Sequence, residues 1–81
     1  MKNVVHIYFG QVVREMRQTA GLTQEELGEK AGLQRNFISS LELAQKQPSL
    51  VTVFKIAKAL NISADELIGH VVNKIKTEVN F

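Results

Sequence analysis

Between Leu22 and Leu41 the chain reads LTQEELGEKAGLQRNFISSL, and this stretch leaves room for few folds. Thr23 and Glu26 have the T-x-x-E spacing of a capping box, in which side chains and backbone satisfy each other in the first turn of a helix. Leu27 and Ala31 follow at i, i+4 as one apolar face, and Gly32 stands where a helix end takes a left-handed residue. Past that break, Phe37, Ile38 and Leu41 form a second apolar face. Gln34, Arg35, Asn36, Ser39 and Ser40 are left pointing away from it. The pattern predicts two helices of about eight residues joined across a turn of roughly three or four.

Such a pair is a helix-turn-helix, whose second helix fits the major groove of DNA and whose polar face can hydrogen-bond base edges. The remaining 81-residue composition excludes most other readings. A chain this short makes one small domain and buries only about 60% of its unfolded surface. An apolar fraction of 44% is ordinary for a folded domain. With no cysteine there is no disulfide and no thiolate metal site, and His6 and His70 lie too far apart in sequence to suggest zinc. Neither a cofactor nor a metal is expected. No apolar run approaches the ~18 residues of a membrane span. The opening MKNVVHIYFG is too short and too interrupted for a secretory signal. A soluble cytoplasmic protein, nucleoid-associated and without a membrane partner, is the expectation. No catalytic constellation is present, so the chain is read as non-enzymatic. Net charge is only +2, with Glu25, Glu26 and Glu29 on the first helix of the pair. Charge alone identifies no partner here; the motif carries that inference.

Helical periodicity runs throughout. A first helix is expected from about Val4 to Ala20, with Val5, Phe9, Val12, Val13 and Met16 on one side and Gly21 after its end. The pair follows at roughly Gln24–Ala31 and Gln34–Leu43. Ser49 is a good N-cap for a helix from Leu50 to Leu60, with Asn61 past its end. Ser63 and Glu66 make a second capping box for a short helix through Leu67 and Ile68, which Gly69 either ends or bends. Beyond it Val71, Ile75 and Val79 repeat at four-residue spacing, as a helix or, given their β-branching, a short strand. The fold class expected is all-α, five helices with an extra C-terminal element. Residues 1–70 are read as the helix-turn-helix domain and 71–81 as a C-terminal tail.

Gly10 to Ile68 resembles the Cro/lambda-repressor-like helix-turn-helix family, also called the XRE family. The resemblance is carried by Arg17, the GLTQEEL run from Gly21, Ala31-Gly32-Leu33 and the ISSLE run from Ile38. Pro48-Ser49-Leu50 and the LNISADEL run from Leu60 complete it. It implies a lambda-repressor-like five-helix bundle whose third helix reads DNA. It implies that Gln24 holds a phosphate and braces that helix, and that Gln34, Arg35, Asn36 and Ser40, with Ser39, contact bases or backbone. Arg35 leads that group, because a guanidinium can bond guanine O6 and N7 together. The resemblance also implies a structural ion pair between Arg17 and Glu42. Two departures from the family pattern matter, one at Leu43-Ala44 and one at Gly28. Leu43 and Ala44 stand where Arg or Asn and then Gly are usual, which implies either a strained or a longer helix end and leaves Lys46 or backbone N–H groups to take a phosphate. Gly28 stands where Ala is usual.

The resemblance implies a DNA-binding transcriptional regulator, a repressor or controller type, acting on double-stranded operator DNA. The compact length and the RNFISSLE segment lean towards the controller proteins of restriction–modification systems. A homodimer on a palindromic operator is expected, because one recognition helix touches too few base pairs. Leu67, Ile68, Val71, Ile75 and Val79 are candidates for its seam, the alternative being that the tail stripe covers the domain's own core. Length suggests no effector domain and no small-molecule ligand. The competing reading is a protein-interaction module, an antitoxin or an antagonist of another regulator, that reuses the fold.

Overall fold

Side-chain caps mark three of the helix starts. Thr23 Oγ1 accepts from the Glu26 N–H at 3.0 Å, and Glu26 Oε1 accepts from the Thr23 N–H at 2.9 Å, closing the box at both ends. Ser49 Oγ accepts from the Thr52 N–H at 3.1 Å, and Ser63 Oγ from the Glu66 N–H at 3.3 Å. The computed structural model describes residues 4–79, at residue 79 the backbone alone. It holds five helices: α1 (Val5–Thr19), α2 (Gln24–Ala31), α3 (Arg35–Glu42), α4 (Leu50–Ala59) and α5 (Ala64–Val79). No strand occurs among the described residues.

The first four helices stop in the same way. Gly21, Gly32, Ala44 and Asn61 each take positive φ, between 60° and 73°. Each donates its N–H to a carbonyl of the last turn, and the following residue donates one position deeper, as in Gly21 to Gln18 and Leu22 to Arg17. This double bond pattern is the Schellman motif, which satisfies carbonyls a helix end leaves open. At α3 it comes as Ala44 to Leu41 at 3.1 Å and Gln45 to Ser40 at 2.8 Å. Of the two outcomes expected for the Leu43-Ala44 departure, the strained end is the one observed: Ala44 carries φ 60° with a Cβ in place.

The C-terminal residues differ from the expectation in one respect. The short helix expected to stop or bend near Gly69 and the tail stripe beyond it are one continuous helix. Gly69 lacks the positive φ that ends the other four, so it interrupts nothing.

α1 packs on α3 and α5, α2 on α3 and α4, and α4 on α5. The core gathers Phe9, Val12 and Val13 of α1, Leu27 of α2, Ile38 and Leu41 of α3, and Val53, Ile56 and Ala57 of α4. Each such large side chain contributes about 1.5–3 kcal/mol of burial. α5 closes the bundle with Leu67, Val71 and Ile75, at 0%, 2% and 6% exposure. These three were candidates for a dimer seam. Their burial against the chain's own core removes them from it. Of that set only Ile68 faces solvent, and the side chain of Val79 lies outside the described residues.

Two glycines let backbones touch. A Cβ on Gly10 would overlap the carbonyl oxygens of Leu41 and Glu42, so α1 crosses the end of α3 at main-chain distance. A Cβ on Gly28 would lie 2.5 Å from the Leu33 carbonyl oxygen, in the turn before α3. Both approaches set where α3 sits.

Candidate nucleic-acid interface

α3 has one face that belongs to the fold and one that does not. Ile38, Leu41 and Glu42 are buried. Around the helix from them, Gln34, Arg35 and Asn36 are exposed, and Ser39 and Ser40 are half-buried. Among the described residues none of these five uses its side chain in a hydrogen bond within the chain. Gln34 occupies the N-cap position but makes no side-chain cap bond, unlike Thr23 at α2 and Ser49 at α4. Open N–H groups at a helix start favour anions.

The buried face is fixed by a polar lock. Arg17 of α1 grips Glu42 with two bonds, Nε to Oε2 at 2.7 Å and Nη2 to Oε1 at 3.1 Å. Its remaining nitrogen, Nη1, donates to the Leu22 carbonyl at 2.8 Å. Gln24 Nε2 donates to Glu42 Oε1 at 3.1 Å. One carboxylate therefore ties together α1, the first residue of α2 and the last of α3. With side-chain exposures of 11% and 3% the pair is out of water, where removing one partner leaves an uncompensated charge. The hydrogen-bonded carboxylate holds the Arg17 guanidinium above its ordinary value despite the opposing effect of burial. Gln24 thus commits one of its two amide protons to the brace and keeps the other, with Thr23, Glu25 and Arg35 beside it along a shallow groove.

Lys46 lies in the loop after α3, its Nζ 5.7 Å from the centre of the Phe37 ring. That cation–π contact, about 0.5–1 kcal/mol at an exposed site, holds the ammonium on the Phe37 flank of α3. The flank is separate from the Arg35 and Ser39 face. The structure therefore brings Gln34, Arg35, Asn36, Ser39 and Ser40 onto one continuous surface, with Gln24 at one edge and Lys46 at another. Sequence reasoning missed the role of Gly10, since a glycine inside a helical pattern carries no mark of the backbone that will cross it. It also read Leu43 only as a lost phosphate contact, whereas the structure leaves that side chain 60% exposed.

Among the described residues no helix is long and apolar enough to cross a membrane, and no cluster of histidine and carboxylate groups has metal-binding proximity.

Residues 13–67 match the family model described as "Helix-turn-helix". An HTH-type transcriptional regulator of Methanothermobacter thermautotrophicus is 47% identical over 49 residues, 60% of this chain and 71% of that protein. Control protein C.BamHI of Bacillus amyloliquefaciens is 35% identical over 69 residues, 84% of this chain and 85% of that protein. The crystal structure of the restriction-modification controller protein C.AhdI from Aeromonas hydrophila superposes with a TM-score of 0.76 at 40% identity. The match covers 80% of this chain and 98% of that one.

Proposed function

The chain belongs to the Cro/lambda-repressor-like helix-turn-helix family of DNA-binding transcriptional regulators, which are not enzymes, and from that premise we propose that it binds a palindromic operator as a homodimer. One observation carries the reading: α3 is clamped from behind by Arg17, Gln24 and Glu42 while its polar face has no side-chain hydrogen bond to the other described residues. A rigid helix with free hydrogen-bonding groups is what base recognition needs. In the proposal Arg35 reads guanine, Asn36 reads adenine or takes a phosphate, and Ser39 and Ser40 contact base edges. Gln34, Gln24 and Lys46 hold phosphates, with the bare N-terminus of α3 assisting. Arg35→Ala is expected to weaken specific binding by about 1–3 kcal/mol with far-UV circular dichroism unchanged. Unaltered affinity and sequence preference would remove Arg35 from the reading surface.

The dimer rests on α4 and α5. α4 buries Val53, Ile56 and Ala57 on one side, yet Leu50, Val51 and Phe54 on the other are all more than half exposed. Beside the exposed Lys55 and Lys58, this is a second apolar strip beyond the one α4 packs into the core. Ile68 and Val72 of α5 are exposed as well, and they border a groove of about 350 Å³ with Val5 and Pro48. His6 lines that groove with its Nδ1 buried and unbonded, a group that a second protomer can satisfy. A two-fold seam here would present two α3 helices to half-sites about 34–36 Å apart. Operator occupancy would then follow protein concentration and dimerisation, with no small-molecule ligand. A small molecule that shifted affinity at fixed dimer concentration would overturn that last point. Acting on operators places the protein in the cytoplasm, on the nucleoid.

The test is selection of bound sequences from a random duplex pool, with binding repeated at two salt concentrations. An enriched inverted repeat with a steep salt slope is expected. Absence of enrichment would shift the function to a protein partner.

A further inference from the structure

α3 is capped at its C-terminus by a residue, Leu43, that its polar face does not explain. Of the large apolar side chains left exposed, Val5 and Ile7 belong to α1, Leu50, Val51 and Phe54 to α4, and Ile68 and Val72 to α5. Leu43 alone lies at α3. It is spaced i+4 from Ser39 and i+7 from Asn36, so at 3.6 residues per turn it falls between them around the helix, in the middle of the polar face. It is also held in place. Its N–H donates to the Ser39 carbonyl at 3.0 Å, and the Schellman bonds of Ala44 and Gln45 close over the turn behind it. Among the described residues Leu43 joins neither the core nor the side chains packed against it, which leaves a leucine at 60% exposure on that surface.

We propose that Leu43 determines specificity by seating against the C5-methyl group of a thymine in the major groove. This rests on the reading of α3 as the recognition helix. The thymine methyl is the apolar group that the major groove offers; the other base edges there present nitrogen and oxygen. Leucine pressed against those edges would strip water from polar groups and return no hydrogen bond, so the same side chain favours thymine and disfavours its alternatives. Register follows from helix geometry. Leu43 lies eight residues beyond Arg35, about 12 Å along the axis at roughly 1.5 Å per residue. At about 3.4 Å per base pair, the thymine is three to four base pairs from the guanine that Arg35 reads.

The experiment uses the selected operator with each thymine replaced in turn by deoxyuridine, which removes only the methyl group. Binding of the wild type, Leu43→Ala and Leu43→Met is measured by fluorescence anisotropy. One replacement per half-site, three to four base pairs from the Arg35-dependent guanine, should weaken the wild type about three- to fourfold, as expected for one buried methyl. Leu43→Ala should be insensitive to that replacement while still penalised for changing the guanine. Leu43→Met should keep the sensitivity. If Leu43→Ala and the wild type respond alike at every thymine while the Arg35-dependent preference persists, this inference alone is overturned. Loss of all sequence preference in the wild type would overturn both this and the reading beneath it.

Discussion

At the scale of single residues the central group is Glu42. It is the last residue of α3, it is buried, and three donors from α1 and α2 converge on it. Arg17→Met keeps the aliphatic stem but leaves the carboxylate with only Gln24. Chemical denaturation should show a loss of about 3–5 kcal/mol, as for other buried pairs broken on one side. A loss under about 1 kcal/mol would mean that the pair behaves as a surface one. Glu26 gives a prediction in pH. Its bonds to the Thr23 backbone and hydroxyl hold its carboxyl below the ordinary 4.5. A depressed value means that the ionised form favours folding. The stabilisation is complete above the unfolded value and is lost as pH falls through the folded one. Glu26→Gln retains an acceptor for the capping box and removes the titration. Its stability should therefore decline less than that of the wild type in acid, as followed by thermal melts between neutral pH and about pH 3.

At the scale of elements, the end of α3 is the weakest of the four Schellman ends. Its left-handed residue is Ala44, where α1 and α2 use glycine and α4 uses asparagine. Behind it stands Gln45, where the others place Leu22, Leu33 and Ile62. Alanine at positive φ costs roughly 1–2 kcal/mol, and glycine gives back about 0.5–1 through the unfolded chain. Ala44→Gly should thus stabilise the domain by about 0.5–1 kcal/mol, a few degrees in Tm. An unchanged or lower Tm would show that the strain is absorbed elsewhere. Helix ends were legible in advance because Thr23, Glu26, Ser49, Gly21, Gly32 and Asn61 act on their own backbone neighbours. The Arg17–Glu42 pair was legible only through family resemblance, since nothing local joins residues so far apart in the chain. Gly69 misled because glycine stops a helix only when it takes a left-handed turn, and here it keeps helical φ. In α5 the stripe Leu67, Val71 and Ile75 and the neighbouring Ile68 and Val72 are both apolar. Periodicity names the two stripes equally well. Packing against α1 and α4 decides which one is the core.

At the scale of the whole molecule, a core built from five short helices leaves α4 overexposed. A small domain gains stability from association, so melting should depend on protein concentration. Phe54→Asp should convert a dimer to a folded monomer in sedimentation velocity and weaken operator binding without changing which bases are preferred. A sedimentation profile identical to that of the wild type would place the seam away from α4.

The division of α3 into a clamped side and a free side also bears on how such a protein acquires new targets. The side chains of Gln34, Arg35, Asn36 and Ser39 hydrogen-bond none of the other described residues, whereas Ile38, Leu41 and Glu42 hold the helix in the bundle. With α3 reading DNA as proposed, mutations that redirect binding and mutations that threaten folding would fall on different side chains of α3 and its N-cap. A lineage carrying this domain can drift from one DNA site to another in single substitutions, each intermediate still folded, without a compensating change elsewhere.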